Sequence, residues 1–212
     1  MRRFKVLVIA PHPDDESIGC GGTLRLHWVR GDRVAGVFLT SGELGLKHLP
    51  RGKARRIREG EARKAAKILG LAKVTFMHQP DWSMGEDLSG AAHALRRVLS
   101  REAPDLIYLP HPGEWHPDHK AALPVLRKAL RGAGLGAPIL RGYEVWTPLG
   151  EYDQVENITS VMKLKLRAIR AHKSQLNGEF GYESAVIGLN QYRGALAGKC
   201  AYAEVFQTIL KP

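Results

Sequence analysis

The chain has no apolar run long enough to cross a bilayer, and it has only two cysteines, Cys20 and Cys200, in 212 residues. Their spacing fits neither a metal site nor a redox motif, which predicts a reduced, cytoplasmic protein. The basic start at residues 1–3 leads through a short apolar segment into acids, so it predicts a first strand and no signal peptide. Internal repeats and low-complexity stretches are also missing, which predicts a single domain over residues 1–212 and no membrane partner.

Acidic residues are scarcer than basic ones, 21 against 32, and the formal net charge is +11. This excess indicates either an anionic partner or a basic, solvated surface. The basic residues are spread out and are not interleaved with aromatic ones, which favours the solvated surface over nucleic-acid binding. A basic helix over 163–173 keeps a nucleic-acid-binding protein as an alternative, which would bind in a salt-sensitive way and ignore chelators.

Strand-like and helix-like segments alternate along the chain. Apolar runs rich in β-branched residues predict strands, and amphipathic runs predict helices. Strands are expected over residues 4–10, 34–40, 74–78, 106–110, 139–146 and 202–209, and helices over 17–29, 53–69, 88–101, 120–130, 161–172 and 184–196. Helices of this length between strands predict an α/β fold, a Rossmann-like, doubly wound, mostly parallel sheet with helices on both faces.

One imidazole and three carboxylates follow the first predicted strand, in residues 11–16, which read Pro-His-Pro-Asp-Asp-Glu. In an open α/β sheet, ligands bind in the crevice at the carboxyl ends of the strands. Crowding acids into that crevice costs repulsion and desolvation unless a cation lies among them. The segment therefore predicts a metal site at the end of the first strand.

A second group of ligating residues, His116, Asp118 and His119, follows the fourth predicted strand. If Pro117 begins a helix, both histidines lie on one face of its first turn. The two groups can meet where the strand order of a doubly wound sheet reverses. Together they supply the ligands of a catalytic zinc with one position open for water. A magnesium-dependent nucleotide-binding or phosphoryl-transfer enzyme is a third alternative, but magnesium prefers oxygen ligands to histidine.

Two glycine-containing segments lie near the predicted site. Residues 19–22, Gly-Cys-Gly-Gly, fit neither the dinucleotide fingerprint nor the P-loop, and they predict close packing of the first helix on the sheet. The polar, basic segment 42–52 is expected to be a mobile loop over the site.

Residues 11–16 and 116–119 resemble the two signature motifs of the LmbE-like, or PIG-L, family of zinc-dependent N-acetylglucosamine deacetylases. Residues 40–43, 58–62, 171–175 and 202–206 add supporting similarity. The resemblance implies a hydrolase that removes the N-acetyl group from an N-acetylglucosaminyl compound and releases acetate. It also implies a homo-oligomer, either a trimer or a hexamer.

Position by position, the resemblance implies that His12, Asp15 and His119 bind Zn²⁺, although Fe²⁺ can occupy the same ligands. Asp14 would be the general base for a metal-activated water. His116 would either polarise the amide carbonyl or protonate the departing amine.

The same resemblance implies that Asp118 orients a histidine ligand, and that Arg58 and Asp81 contact the sugar or its aglycone. Glu16 would either support the metal ligands or supply a negative charge at the helix N-terminus. One position departs from the family pattern, because Glu114 stands where some members have a tyrosine thought to assist the oxyanion.

The positive net charge favours an anionic aglycone such as malate. That choice would place the enzyme in a bacillithiol-type thiol pathway with N-acetylglucosaminyl-malate as substrate. Deacetylation of chitobiose-like sugars is the close alternative.

Overall fold

The structure is a computed structural model that describes residues 3–131, 134, 136–176 and 181–210. In this part of the chain seven strands form the sheet: β1 (Lys5–Ala10), β2 (Arg33–Phe38), β3 (Lys73–Phe76), β4 (Leu106–Pro110), β5 (Ile139–Tyr143), β6 (Gln154–Asn157) and β7 (Ala203–Thr208). Their order is β3-β2-β1-β4-β5-β7-β6. Strands β1 to β5 run parallel, whereas β7 runs antiparallel to both β5 and β6. The predicted Rossmann-like α/β fold is confirmed, and the strand order reverses between β1 and β4.

Six α-helices cover this sheet in the described residues: α1 (Asp15–Val29), α2 (Arg51–Leu69), α3 (Leu88–Glu102), α4 (Pro117–Leu130), α5 (Met162–Ile169) and α6 (Tyr182–Arg193). Successive side chains of β1 point to opposite faces. Leu7 and Ile9 pack against α3 and α4, while Val6 and Val8 pack against α1, α2 and α5. No helix in the described segments combines the length and the hydropathy that a bilayer crossing requires.

Local contacts explain where the predicted elements and the observed ones differ. Strand β6 was not predicted because it is a short edge strand with alternating half-buried and exposed residues. The helix predicted over 161–172 is shorter, because the 3₁₀ turn Thr159–Val161 precedes α5. The sequence offers Thr159 or Ser160 as the N-cap of that helix, but the Thr159 hydroxyl bonds to the Tyr202 carbonyl. The sequence also predicts a glycine-rich turn over 132–137, part of which lies outside the described residues.

Helix α1 is bent at Cys20, which has the non-helical angles φ −141° and ψ 17°. The Glu204 carboxylate accepts hydrogen bonds from the backbone N–H groups of Gly22 and Thr23 just after the bend, at 2.9 and 2.7 Å. The Lys165 ammonium lies 2.7 Å from the same carboxylate, and both charged groups are buried. A Cβ at Gly22 would come within 2.7 Å of Ile158, and one at Gly19 would overlap the Tyr143 ring at the end of β5. The predicted close packing of α1 on the sheet therefore occurs at Gly19, whereas Gly22 packs against the segment after β6.

Replacing Glu204 with alanine should lower the free energy of unfolding by about 3–5 kcal/mol, because the substitution leaves the buried Lys165 ammonium without a counterion. Urea unfolding followed by circular dichroism measures the change. The double variant Lys165→Met with Glu204→Gln removes both charges and should recover a large part of the loss. A Glu204→Ala variant that unfolds at the wild-type urea concentration would show that the pair contributes nothing.

Candidate active site

The two predicted clusters meet at the carboxyl ends of β1 and β4, which are neighbours in the sheet. Asp15 is the first residue of α1 and follows β1 by a short turn. His116 is the N-cap of α4, and its Nδ1 accepts the Asp118 N–H at 3.2 Å. The helix begins at Pro117, before the start predicted at residue 120, so the condition for placing both histidines on its first turn is met. His119 lies in the first turn of the same helix. The strand order thus brings together residues that are more than a hundred positions apart.

Three potential metal-ligand atoms form a nearly equilateral triangle. His12 Nδ1 lies 3.3 Å from Asp15 Oδ2, Asp15 Oδ2 lies 3.2 Å from His119 Nε2, and the two histidine nitrogens lie 3.4 Å apart. A tetrahedral zinc with bonds of about 2.0–2.1 Å holds its ligand atoms about 3.3–3.4 Å apart. All three side chains are buried. The residues predicted as ligands therefore fit a tetrahedral ion, and the convergence of the two segments is confirmed.

A buried carboxylate faces the outer ring nitrogen of each of the two histidines. His12 Nε2 lies 3.0 Å from Asp118 Oδ2, and the Asp118 carboxylate also accepts the Trp82 N–H at 2.8 Å. His119 Nδ1 lies 3.5 Å from Glu114 Oε2, beyond good hydrogen-bond distance. A proton on the outer nitrogen leaves the inner nitrogen free to bind a metal. Asp118 thus occupies the orienting position that was predicted for it.

The electrostatic interactions among the buried groups of the site also favour a bound cation. Burial by itself would lower the pKa of His119, but the charge and hydrogen bonding of Asp15 together with Glu114 outweigh burial and raise that pKa to about 9. Burial would raise the pKa of Asp15, but His119 and His12 hold it well below its usual range. The carboxylates therefore retain a proton on His119 in the absence of another positive charge, and a divalent ion would take its place.

Further potential ligands surround the triangle. His116 can join His12 and His119 with donor atoms within 4.8 Å of one another, and Asp81 can join His12 and Asp118 in the same way. The Asp118 carboxylate already accepts hydrogen bonds from backbone N–H groups and lies within hydrogen-bond distance of the outer nitrogen of His12. The set with the spacing of a tetrahedral ion is therefore the predicted one.

Asp14 has a strained backbone, with φ 120° and ψ −29°. Glu16 Oε2 accepts the Asp14 N–H at 3.1 Å, and the other Glu16 oxygen lies 3.4 Å from His172 Nε2. Arg58 Nη2 lies 3.2 Å from Asp14 Oδ2. Glu16 therefore contacts the strained residue directly. The position of His172 at the end of an amphipathic helix predicts a buried histidine, and its side chain is buried.

Burial raises the pKa of Asp14 to about 6, with Arg58 lowering it and Asp15 raising it. The pKa of His116 is lowered to about 4, first by burial and then by the neighbouring His12 and His119. A cation on the triangle would favour the ionised form of Asp14 and the neutral form of His116. At neutral pH the site therefore presents Asp14 as a carboxylate that can accept a proton and His116 as a neutral imidazole.

Arg58 and Asp81 line the cleft above the triangle, together with Gly45. Arg58 donates to the carbonyls of Gly42 and Pro13, both at 2.6 Å. Asp81 Oδ2 accepts the Leu44 N–H at 2.7 Å, and Asp81 Oδ1 lies 3.2 Å from His12 Nε2. The polar segment 42–52 therefore lies beside the site as expected, partly as the 3₁₀ turn Glu43–Leu46, and its mobility stays a prediction.

The family comparison agrees with these motifs. Residues 7–130 match the family model described as "PIG-L: GlcNAc-PI de-N-acetylase", and this span is more than half of the chain. The chain belongs to the PIG-L family.

Two relatives in this family share about a third of the residues with the chain. A probable N-acetyl-α-D-glucosaminyl L-malate deacetylase 2 from Bacillus cereus is 31% identical, covering 80% of this chain and 83% of the relative. A diacetylchitobiose deacetylase from Thermococcus kodakarensis is 30% identical, covering 94% of this chain and 81% of the relative.

A solved structure with a different activity has the same fold. GalB, the 4-carboxy-2-hydroxymuconate hydratase from Pseudomonas putida KT2440, superposes with a TM-score of 0.84 and 25% identity, covering 98% of this chain and 96% of that one. The PIG-L fold therefore does not by itself fix the reaction, which has to be argued from the site.

Glu114, the departure from the PIG-L pattern, is turned away from the cleft and fully buried. Its Oε1 accepts the backbone N–H groups of Val145, Trp146 and Thr147, at 2.7, 3.0 and 3.2 Å. These bonds end β5 at Tyr143, which is why the strand predicted over 139–146 stops early. Glu114 thus makes no contact of the kind expected from an oxyanion-assisting tyrosine and instead lies behind His119.

Substitution of Glu114 by glutamine should weaken metal binding about 10–100-fold, because the negative charge behind His119 is lost. Competition with a chromophoric chelator measures the affinity. Glu102→Gln is the matched control, since Glu102 is buried at the opposite end of the sheet beside Arg33. Equal affinities of the two variants would show that Glu114 only terminates β5.

Aromatic side chains form much of the cleft wall, and the sequence did not predict this. Trp82, Trp115, Trp146 and Tyr182 line a cavity of ≈ 330 Å³ with the triangle at its base. The three tryptophans are exposed by 50%, 55% and 39%. The only signal in the sequence was the position of Trp82 and Trp115 beside Asp81 and His116.

Proposed function

We propose that this chain is a metal-dependent N-deacetylase that hydrolyses the acetamide bond of an N-acetylglucosaminyl compound and releases acetate. The triangle of donor atoms beside the carboxylate of Asp14 is the observation that carries the proposal. The deacetylases among its relatives support this reaction over hydration of a carbon–carbon double bond, because their identity to this chain is higher.

His12, Asp15 and His119 would hold Zn²⁺ in this proposal, with Fe²⁺ as the other candidate. When bound, such an ion supplies Lewis acidity, which lowers the pKa of a water molecule and polarises a carbonyl oxygen. Asp118 keeps the His12 ring oriented, and Glu114 adds negative charge behind the His119 ring.

Asp14 would act as the general base. Its carboxylate takes one proton from the attacking water as the water oxygen adds to the acetyl carbon. The proton then passes to the sugar nitrogen as the C–N bond breaks, which leaves acetate and a free amine. Arg58 and Glu16 hold Asp14 in its strained conformation throughout.

His116 would act as a neutral hydrogen-bond donor. Its Nδ1 accepts the Asp118 N–H, which puts the ring proton on Nε2. Its lowered pKa keeps the ring uncharged at neutral pH. Of the two predicted roles, this arrangement favours stabilising the developing charge on the acetyl oxygen over protonating the amine.

We assign the sugar contacts to Arg58 and Asp81. Arg58 Nε is buried and lacks a hydrogen-bond partner in the described structure, whereas Asp81 lines the cleft with its Oδ1 3.2 Å from His12 Nε2. An unpaired buried polar atom is costly unless a ligand satisfies it. The anionic aglycone, the homo-oligomer, the cytoplasmic location and the single domain over residues 1–212 remain predictions.

The test is acetate release from N-acetylglucosaminyl-malate and from N,N′-diacetylchitobiose at equal concentrations. Acetate and free amine in equal amounts from at least one compound are expected. Hydration of an unsaturated dicarboxylic acid without acetate release from either sugar would overturn the proposal. Salt-sensitive binding of DNA or RNA by a protein without hydrolase activity would favour the basic-helix alternative.

A further inference from the structure

A second cavity of ≈ 220 Å³ adjoins the catalytic cleft, and we call it the side cavity. Trp146 and Tyr182 line both spaces, with ring centroids 6.0 Å apart and the rings almost perpendicular. The rest of the side cavity is mostly apolar, lined by Ile18, Val145, Pro148, Ala185, Val186 and Leu189. The aromatic pair therefore separates a polar reaction site from an apolar space.

The side cavity lies close to the reacting atoms. Gly19, in its wall, follows Asp15 by one turn of α1, which is about 6 Å along the helix axis. A Cβ at Gly19 would come within 2.3 Å of the Tyr143 ring, so glycine lets α1 and the end of β5 approach closely here. A group attached to a sugar in the cleft therefore has only a short distance to cross.

The polar atoms of the side cavity indicate what kind of ligand fits. Glu144 is already paired with Arg193 and with the Leu149 N–H. Asn190, which is 4% exposed, donates to the Ala203 carbonyl at 3.0 Å, while its Oδ1 has no hydrogen-bond partner among the residues that the structure describes. The buried Tyr182 hydroxyl is also without a partner in the described structure. The space thus offers apolar walls, two neutral polar atoms and no unpaired charge among its described residues.

We infer that the side cavity binds an uncharged, mainly apolar group carried by the substrate beyond its N-acetylglucosamine ring. The inference rests on the proposed function and concerns the aglycone end of that same site, where it replaces the anionic aglycone predicted from net charge with an uncharged group. A cavity of about 150 Å³ with apolar walls holds a benzene ring, so the side cavity has room for a group of about six carbons. Asn190 Oδ1 and the Tyr182 hydroxyl would bond to one polar atom within that group.

Methyl, propyl and hexyl N-acetylglucosaminides of one anomeric form test the inference. Burial of each added methylene should raise kcat/KM about fourfold until the side cavity is filled. The hexyl compound should therefore exceed the methyl compound at least about tenfold. Equal kcat/KM across the series in the wild-type protein would overturn the inference.

The variant Ala185→Phe tests where the apolar group binds. Ala185 is exposed and borders the side cavity, and the phenylalanine ring would fill that cavity. The ratio of hexyl to methyl kcat/KM should fall to near one. Ser184→Phe is the matched control, since Ser184 is exposed on the same helix and does not line the side cavity. An unchanged ratio in Ala185→Phe, or an equal drop in Ser184→Phe, would contradict the assignment.

Calorimetry separates a failure of this inference from a failure of the proposed function. Hexyl glucosaminide, which has no acetyl group, should bind the wild-type protein at least about tenfold more tightly than methyl glucosaminide. If no glycoside is deacetylated but this preference is present and lost in Ala185→Phe, the side cavity is supported and the reaction is wrong. If deacetylation occurs without the preference, the side cavity assignment is wrong.

Discussion

Asp14→Asn should lower kcat about 10²–10⁴-fold while the metal stays bound. Asparagine has nearly the same shape but cannot accept the proton of the attacking water. Asp14 contributes no atom to the triangle, so the metal content of the variant should equal that of the wild type. Acetate release and metal analysis on the same protein sample measure both quantities.

The control for this experiment is Asp87→Asn. Asp87 caps α3 by accepting the Gly90 N–H at 2.8 Å, and asparagine is an equally good cap, so activity should be unchanged. Turnover of Asp14→Asn within a few-fold of the wild type, with metal present, would eliminate Asp14 as the base. Loss of metal from the variant would instead show that Asp14 helps to hold the ion.

Removal of the metal should abolish acetate release entirely, and Zn²⁺ or Fe²⁺ should restore it. The triangle has the spacing of a tetrahedral ion, and the buried carboxylates are left without a divalent counterion when the ion is absent. The melting temperature should fall as well, because an ion that binds only the folded state stabilises it. Dialysis against a chelator, followed by calorimetry and titration with each ion, gives all three measurements.

Two histidine variants accompany the chelation experiment. His119→Ala removes one atom of the triangle and should lose both metal and activity. His93→Ala changes an exposed residue of α3 and should retain both. Undiminished acetate release from protein shown to contain no metal would refute a metal-dependent mechanism for this chain.

Much of the fold could be predicted from the sequence because the hydrophobic periodicity of its strands and helices is strong. Buried runs such as Val6–Ile9 and the helices between the strands led to the doubly wound sheet, although α4 begins at Pro117 and not at residue 120. Edge strand β6 was not predicted because it is only four residues long, three of the four are polar, and it is stabilised mainly by pairing with β7. Local pattern does not contain the partner strand, so such elements depend on tertiary contacts.

The metal site was predictable for a similar reason. His12 and Asp15 are three residues apart, as are His116 and His119, so each pair is positioned by local structure. The side chains behind these pairs were harder to assign. Glu114 stands where some family members have a tyrosine, and only the structure shows that its carboxylate accepts the backbone N–H groups of residues 145–147.

The sequence by itself determined the ligand types, the order of strands and helices, and the family, because each depends on residues close together in the chain. Only the tertiary structure decided that three donor atoms lie 3.2–3.4 Å apart, that Asp14 is strained, and that Trp146 and Tyr182 separate the cleft from an apolar side cavity. These features join segments from distant parts of the chain. Their geometry is set by packing across the sheet and between helices, which no local pattern encodes.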